Sequence, residues 1–329
     1  MLGGGDSIDV LLPPLAMLGP SAPLRGGVSF ALEGETMGTR WCLRAVTPAG
    51  FEPARAGKAL EKVFASVIDQ MSQWNPHSQL SRYNAAPAGS RHEIGAQFRQ
   101  VLACAITIAD ASGGAFDPAL GRAAQAWGFG AEPFSGAIHD GEIARTAPGD
   151  AFVELDADKI IQPGGLSLDL SGIAKGFAVD CGIEALRREG IEHALLEIGG
   201  ELKAIGLRED GCPWWVDLER SPYSEDQVVR IGLSDWAVAT SGHWHRRRTA
   251  EGRSWSHTLD PRNGRPVDDR IASVNVLHPG CMQADALATA IIVLGETEGI
   301  AFADRHRLPA RITTGTKVIE SAAWTEWRG

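Results

Sequence analysis

Residues 168–176 read LDLSGIAKG and form the most informative stretch of this chain. A hydrophobic run ends at Asp169, two glycines and Lys175 follow, and the residues after Ile173 have a helical pattern. Glycines allow the backbone to approach a ligand closely, a helix N-terminus offers unpaired N–H groups, and a lysine supplies a positive charge. The stretch therefore indicates a site for a phosphate-bearing ligand, although glycine and lysine after a strand are common.

A second cluster lies further along the chain, where residues 283–289 read QADALAT. Asp285 and Thr289 are one helical turn apart, so their oxygens project from the same face of a helix. A carboxylate and a hydroxyl with room for waters and phosphate oxygens suit Mg²⁺ better than Zn²⁺. The competing interpretation is structural, with Asp285 favoured by the helix macrodipole and Thr289 without a role.

The composition is that of a folded protein without a nucleic-acid partner. The 329 residues are 44% hydrophobic and 22% charged, and the formal net charge is −10. That charge disfavours nucleic-acid binding, because the basic triplet at 246–248 is more typical of a solvated loop edge than of a phosphate clamp. The five cysteines are scattered and odd in number, which argues against a disulfide framework or a thiolate zinc site.

Residues 1–29 are interpreted as a flexible leader that precedes a single domain, residues 30–329. The leader is rich in Gly, Pro, Leu and Ala, but no basic segment precedes its short apolar run. Asp6 and Asp9 stand where a secretory signal would have lysines, so a signal is not supported. No run approaches the ~18 apolar residues of a membrane span, and we expect no stable membrane insertion.

Hydrophobic periodicity predicts the secondary structure. Helices are predicted at 53–71, 96–111, 173–189 and 283–295. Strands are predicted at 40–46, 152–155, 159–162, 166–170, 194–198, 201–206, 214–218, 228–233, 236–240 and 271–278. The run of strands between 194 and 240 breaks the alternation that a doubly wound fold requires. We therefore predict an α+β fold with mixed sheets flanked by helices, in two lobes with the ligand site in the cleft between them.

Histidines offer two further kinds of site. His257 lies three residues before Asp260, and its unperturbed pKa of about 6.5 suits a general base; the alternative is a histidine held structurally at a strand end. His243 and His245 alternate along a strand, which permits a zinc site, but a third ligand is missing and the arginines that follow disfavour a cation. The segment 198–201, IGGE, is interpreted as a hairpin bulge.

Each motif has an ordinary structural explanation, but together and in this order they resemble the ApbE family, the FAD:protein FMN transferases. The motifs are ETMGT at 35–39, MS at 71–72 followed by SQLSRYN at 78–84, GAFD at 114–117, DLSGIAKG at 169–176, IGG at 198–200, TSG at 240–242, SHTLDPRNG at 256–264 and ADALATA at 284–290. The resemblance covers residues 30–315, nearly the whole chain after the leader.

The resemblance implies binding of FAD and Mg²⁺, and transfer of the FMN half to a Thr or Ser hydroxyl of a target protein with release of AMP. It implies an FAD site that contains Met37, Trp74, Ala115, Phe116, Asp117, Lys175 and Leu259. It implies Mg²⁺ ligands at Gly172, Asp285, Ala288 and Thr289, where Gly172 and Ala288 contribute backbone carbonyls. His257 matches the histidine proposed as the base, and Lys175 would add catalytic stabilisation of the leaving group.

The resemblance also implies a partner, a flavin-accepting subunit of a membrane redox complex or a related reductase. It indicates the periplasm, but no signal peptide is visible, so a cytoplasmic location stays open. Three other functions stay open as well: a Mg²⁺-dependent FAD pyrophosphatase that uses water as its nucleophile, a flavin-binding accessory protein without turnover, and an unrelated hydrolase built on His243, His245 and His257.

Overall fold

Helices and strands follow one another irregularly along the chain. The structure is a computed structural model, and it describes residues 8–14, 22–134, 136, 159–220, 227–244 and 246–328. The helices are α1 (Pro53–Met71), α2 (Gln79–Asn84), α3 (Ala96–Ala111), α4 (Gly121–Ala126), α5 (Ala174–Arg188), α6 (Cys281–Arg305) and α7 (Ala322–Thr325). The strands are β1 (Ile8–Leu11), β2 (Val28–Thr36), β3 (Thr39–Thr47), β4 (Arg91–Glu93), β5 (Lys159–Ile161), β6 (His193–Ile198), β7 (Glu201–Ile205), β8 (Trp214–Asp217), β9 (Val228–Leu233), β10 (Ala237–Gly242), β11 (Arg247–Ala250), β12 (Arg253–Ser256), β13 (Leu259–Asp260), β14 (Arg265–Pro266), β15 (Ile271–His278), β16 (Ala310–Thr314) and β17 (Val318–Glu320).

Eight of the strands form one sheet in the order β17-β16-β15-β10-β7-β6-β3-β2, and each neighbouring pair is antiparallel. Because side chains alternate along a strand, Trp41 and Leu43 of β3 belong to the main core on the inner face, whereas Arg44 lies on the outer face. The β2–β3 and β6–β7 hairpins have their tips at the same end of the sheet, where Gly199 N donates to Arg40 O at 3.1 Å.

Helices α1, α3, α5 and α6 cover the inner face of this sheet and form the main core with it. Helical periodicity places Leu60, Phe64 and Val67 of α1 on one buried face. Full burial of each side chain of this size stabilises the fold by roughly 1.5–3 kcal/mol. The helix layer therefore fixes the positions from which α5 and α6 reach the end of the sheet.

Helix α6 runs through the core and is interrupted at Gly295, where φ is +83°. The predicted helix ends at this residue, but a second helical stretch continues to Arg305. By length and composition, α6 is the single helix of the described residues that is long and apolar enough to cross a membrane. The most apolar 18-residue stretch of α6 is 56% buried inside the protein, and buried core helices often have this length and composition too. We therefore interpret α6 as a core helix.

A second sheet, in the order β1-β9-β8, packs on the outer face of the large sheet. Strand β1 is parallel to β9, and β8 is antiparallel to it. Leu11 of β1 is fully buried between the two sheets. The neighbouring Asp9 forms a salt bridge with Arg328, in which Nη2 lies 2.6 Å from Oδ2. Residues 8–11 belong to the segment interpreted as a leader, so this part of it forms a strand packed on the domain.

The α+β class is confirmed, and so are the four predicted helices. Helices α1 and α3 and strands β9 and β15 have the predicted bounds, and β3, β5, β6, β7, β8 and β10 lie within two residues of theirs. The large sheet is antiparallel throughout, and the three-stranded sheet is the mixed one. The strand predicted at 152–155 lies outside the described residues.

The strand predicted at 166–170 is wrong. Its three leucines are buried at alternate positions, which imitates the period of a strand, but the segment pairs with no sheet. Its backbone bonds go elsewhere: Leu168 N donates to Asn84 Oδ1 at 2.8 Å, and Asp169 N donates to Pro118 O at 2.7 Å. The segment is therefore an irregular, buried loop that leads into α5.

Candidate active site

A cavity of about 1460 Å³ opens at the end of the large sheet where the two hairpins have their tips. It lies between the main core and a smaller unit, in which α4 packs against Trp255 of β12 and Leu259 of β13. The predicted site residues that line it are Met37, Trp74, Ala115, Phe116, Asp117, Gly172, Lys175, His257, Leu259, Asp285 and Thr289. Ala288 is fully buried and is not part of the lining, so its role stays a prediction.

Asp169 shapes the loop that precedes α5. Its Oδ1 accepts hydrogen bonds from the backbone N–H of Ser171 at 2.8 Å and from the Ser171 hydroxyl at 2.5 Å. Gln73 Nε2 donates to the same hydroxyl oxygen at 3.1 Å. Because the Asp169 carboxylate accepts both hydrogen bonds, it stabilises the turn that ends the irregular segment. Helix α5 begins shortly after this turn, at the cavity wall.

Two glycines bring this loop and α5 close to α6. A Cβ on Gly172 would lie 3.2 Å from Thr289 Oγ1, which is tighter than ordinary packing allows. A Cβ on Gly176 would collide with the carbonyl oxygen of Cys281. Gly176 is thus required for the close contact between α5 and α6, and Gly172 eases the approach of the preceding loop to Thr289.

Oxygen atoms gather where α5, α6 and β10 meet. Asp285 is 3% exposed, and its Oδ2 accepts a hydrogen bond from Gly176 N at 3.0 Å. Thr289 Oγ1 lies 3.3 Å from the carbonyl oxygen of Asp285 and 3.3 Å from Ser241 Oγ. Burial raises the pKa of Asp285, although Lys175 and the Gly176 N–H act in the opposite direction.

This oxygen cluster fits a hard cation. A buried carboxylate whose charge is only partly compensated is stabilised by a positive ion, and carboxylate, hydroxyl and carbonyl oxygens are the ligands that Mg²⁺ prefers. Within the described residues, no three His, Cys, Asp or Glu side chains form a group that could hold a metal. An ion bound here would therefore depend on one carboxylate together with neutral oxygens, waters or the oxygens of a ligand.

Lys175 and Glu201 form an ion pair in the wall of the cavity. The Glu201 side chain is 3% exposed and that of Lys175 is 26% exposed. Burial works against the charged lysine, but Glu201 and Asp285 outweigh it, so the pKa of Lys175 is raised. Burial also raises the pKa of Glu201, against the attraction of Lys175. Two buried carboxylates whose pKa values are raised therefore lie beside one ammonium, and a cation at this corner would favour their ionised forms.

Replacing Glu201 by alanine is expected to destabilise the protein by about 1–3 kcal/mol, because it removes the direct partner of the half-buried Lys175 ammonium and leaves Asp285 as the remaining carboxylate beside it. The free energy of unfolding in urea measures the loss. Glu33→Ala is the matched control, since the exposed Glu33–Arg40 pair, with side chains 71% and 77% exposed, contributes at most about 1 kcal/mol. Equal losses in the two variants would contradict the assignment of a desolvated pair.

His257 points its imidazole into the cavity between the two parts of the fold. Its Nδ1 is buried and has no hydrogen-bond partner among the described residues. The centre of its ring lies 6.1 Å from the centre of the Phe129 ring, in an edge-to-face arrangement. Burial, Arg246 and His243, in that order, lower the pKa of His257 to about 4. The imidazole is therefore neutral at pH 7 and can accept a proton.

The zinc interpretation of the histidines gains no support. His243 is 3% exposed, burial lowers its pKa to about 4, and neither ring nitrogen has a hydrogen-bond partner in the described part of the chain. His243 does not line the cavity. His245 lies outside the described residues. The two histidines that can be placed, His243 and His257, form no metal group with a third ligand there.

Met37 occupies the tip of the β2–β3 hairpin in an unfavourable backbone conformation. Its φ is +49° and that of Gly38 is +71°, so both residues of this two-residue turn have positive φ. Asn or Gly is the usual residue at such a position, and a methionine there is strained. Since strain of this kind tends to persist where a side chain has a function, the turn supports a binding role for Met37.

Aromatic and acidic side chains form another part of the cavity wall. Trp74 is 50% exposed, and the guanidinium of Arg246 lies 5.9 Å from the centre of its ring. Phe116 is buried beside Asp117, whose Oδ1 accepts a hydrogen bond from Ala119 N at 2.8 Å. Burial raises the pKa of Asp117, against the effect of that hydrogen bond. Flat faces of this kind suit a planar ring system.

Sequence reasoning missed two residues of this site, Glu201 and Arg246. It interpreted Glu201 as part of a hairpin bulge, because nothing in the IGGE segment itself reveals the partner of this carboxylate. It interpreted the arginine triplet as a solvated loop edge; Arg246 is exposed, as that interpretation expects, but it also lines the cavity, which the sequence did not indicate. Arg247, by contrast, pairs with Asp269 at 2.7 Å.

The site as a whole combines a half-buried lysine, an oxygen cluster, a neutral histidine and aromatic faces in one open cleft. These features are typical of an enzyme site and suit a large ligand that carries both phosphates and a planar ring. Residues 37–312 match the sequence model of the ApbE family, and the chain belongs to that family.

Relatives and solved structures agree with this membership. The FAD:protein FMN transferase of Vibrio cholerae serotype O1 is 33% identical over 291 residues, 87% of each chain, and that of Haemophilus influenzae is 32% identical over 85% of this chain and 84% of its own. The flavin transferase ApbE from Vibrio cholerae matches with a TM-score of 0.83 at 30% identity, over 92% of this chain and 99% of that one. The apo form of Pseudomonas stutzeri flavinyl transferase ApbE matches with a TM-score of 0.85 at 31% identity, over 94% and 99%.

Proposed function

We propose that this chain is an FAD:protein FMN transferase, which moves FMN from FAD to a Thr or Ser hydroxyl of an acceptor protein and releases AMP in a Mg²⁺-dependent reaction. Family membership supports the activity, and the observation that carries it in this chain is the single cavity shared by Lys175, His257, Asp285 and Thr289. The acceptor is a flavin-accepting subunit of a membrane redox complex or a related reductase.

The residues divide the work of the reaction. His257, neutral at pH 7, accepts the proton of the acceptor hydroxyl. The acceptor oxygen forms a bond to the FMN phosphorus, the bond from that phosphorus to the bridging oxygen breaks, and AMP leaves with that oxygen. Lys175 and the N-terminus of α5 stabilise the negative charge on the departing phosphate.

The metal and the flavin are held by different parts of the wall. The carbonyl of Gly172, the carboxylate of Asp285 and the hydroxyl of Thr289 would hold Mg²⁺. When bound, this ion would neutralise part of the negative charge of the FAD pyrophosphate. Trp74 and Phe116 offer aromatic faces to the ring systems of FAD.

The test is to incubate the protein with FAD, Mg²⁺ and an acceptor that carries a flavinylation motif, and to measure flavin fluorescence on the denatured acceptor together with AMP. Labelled acceptor with an equal amount of EDTA-sensitive AMP is the expected result. AMP and free FMN without label, across several acceptors, would replace the proposal by an FAD pyrophosphatase that uses water. Binding of FAD with no AMP would indicate an accessory flavin binder.

A further inference from the structure

The cavity continues beyond Lys175 and the oxygen cluster, round the tips of the two hairpins to the outer face of the large sheet. Its lining there includes Cys42 and Arg44 of β3, Leu195 and Glu197 of β6, and Leu202 of β7. These side chains alternate with inner-face residues of the same strands, so they lie on the face opposite Lys175 and Asp285. We call this part of the cavity the outer groove.

The tips of the two hairpins border open space between the two parts of the cavity. Gly38 and Gly200 stand at the tips of the hairpins, and a Cβ added to either would meet no atom within 4 Å. The total volume of about 1460 Å³ also exceeds the roughly 300–1,000 Å³ of ordinary small-molecule pockets. The cavity therefore has room for a second, larger partner beside a dinucleotide.

Strand β8 forms the other wall of the outer groove. It is an edge strand that, within the described residues, pairs with β9 alone. Leu218 N donates to Val229 O at 2.9 Å, so Leu218 and Val229 are a hydrogen-bonded pair of the ladder between β8 and β9. Because bonded positions alternate in an antiparallel pair, Trp215 and Asp217 direct their backbone N–H and C=O groups away from β9. Both residues line the cavity.

We propose that the outer groove is the docking site of the acceptor protein, and that an extended segment of the acceptor adds to β8 as a further strand. This inference rests on the proposed function, because it assumes that a protein hydroxyl is the nucleophile. The docked segment leads round Gly38 and Gly200 and delivers its Thr or Ser side chain to His257.

The chemistry of the groove favours a polypeptide over part of FAD. Its walls offer backbone donors and acceptors at the spacing of a strand, which is how sheet edges bind extended peptides. Leu195 and Leu202 provide an apolar floor, and Arg44 and Glu197 provide charges of both signs. The features that suit a pyrophosphate, Lys175 and the oxygen cluster, lie on the opposite face of the sheet. The groove is also continuous with the site where an acceptor hydroxyl must react.

Two variants of Asp217 test the backbone contact. Asp217→Pro removes the N–H that faces the groove but leaves the ladder to β9 intact, because edge strands accept proline where the N–H points away from the sheet. Asp217→Ala is the matched control: both variants lose the ion pair with Arg230, which is 2.6 Å in the parent, and only the proline loses the N–H. Asp217→Pro is expected to raise the acceptor KM about fivefold or more above that of Asp217→Ala, with FAD affinity unchanged. Equal acceptor KM values would overturn the proposal.

Cys42 gives a second measurement that requires no variant. It is a half-buried free thiol that lines the groove, and Cys212, which does not line the cavity, serves as an internal reference. Alkylation of Cys42, followed by mass spectrometry, should slow when the acceptor is added and not when FAD is added. Protection by FAD alone would assign the groove to the dinucleotide. Protection that depends only on the concentration of this protein would assign it to a second copy. Either result would overturn the proposal.

The two hypotheses fail in distinguishable ways. If the wild-type protein labels no acceptor but the acceptor still protects Cys42, the docking site stands and the transferase proposal fails. If the acceptor is labelled at the normal rate without protecting Cys42, and Asp217→Pro behaves like Asp217→Ala, the transferase stands and the docking site fails.

Discussion

Asp285→Ala is expected to lower the rate of flavin transfer about 1,000-fold or more. The carboxylate is the single charged group of the oxygen cluster, and a metal at a phosphate contributes several kcal/mol of transition-state stabilisation, where about 4 kcal/mol corresponds to three powers of ten. The variant also loses the acceptor of the Gly176 N–H bond, so a moderate loss of stability should accompany the loss of activity.

The initial rate of acceptor labelling at saturating FAD and Mg²⁺ measures the effect, with the unfolding midpoint as a check on folding. Asp69→Ala is the control, since Asp69 lies on the exposed side of α1, away from the cavity, and its loss should leave the rate unchanged. If folded Asp285→Ala labelled its acceptor at the normal rate, the metal assignment would be refuted.

The sequence predicts the local parts of this site well, because local patterns determine them. The spacing of Asp285 and Thr289 places both on one turn of a helix, and the structure has them within α6. The helix after Ile173 begins at Ala174. Local pattern failed at 166–170, where alternate burial arises from packing between loops and not from a ladder. Period alone cannot separate these two causes.

The missed residues depend on contacts between distant parts of the chain. Glu201 matters because the β6–β7 hairpin places it against Lys175 of α5, and no property of the IGGE turn itself reveals that partner. Arg246 and Arg247 are the same residue type at neighbouring positions and differ in their surroundings. Arg246 lies beside the cavity and Trp74, whereas Arg247 pairs with Asp269. The resemblance to the ApbE family supplied the order of the motifs, but the orientation of these side chains required the fold.

His257→Ala is expected to lower kcat about 100- to 10,000-fold, the usual contribution of a general base, while the affinity for FAD stays unchanged. The pKa of about 4 also determines the pH dependence. Since the free enzyme holds a neutral imidazole above that pH, kcat/KM of the wild type should stay level as the pH falls from 7 to about 5 and decline only near pH 4. An unperturbed histidine would instead give a decline near pH 6.5.

His243→Asn is the matched control for this prediction. Burial lowers the pKa of His243 to about 4 as well, but the residue does not line the cavity, so its variant should keep the kcat of the wild type at pH 7, where both imidazoles are neutral. Labelling rates between pH 4 and 8, at saturating FAD and varied acceptor, separate the two histidines. A His257→Ala variant that retained both normal kcat and the acidic decline would assign proton transfer to a different group. In the wild type, His257 would also activate a water molecule that enters the site, and hydrolysis of FAD by this water would form AMP without an acceptor. In His257→Ala, the rate of this hydrolysis should therefore fall in parallel with the rate of acceptor labelling.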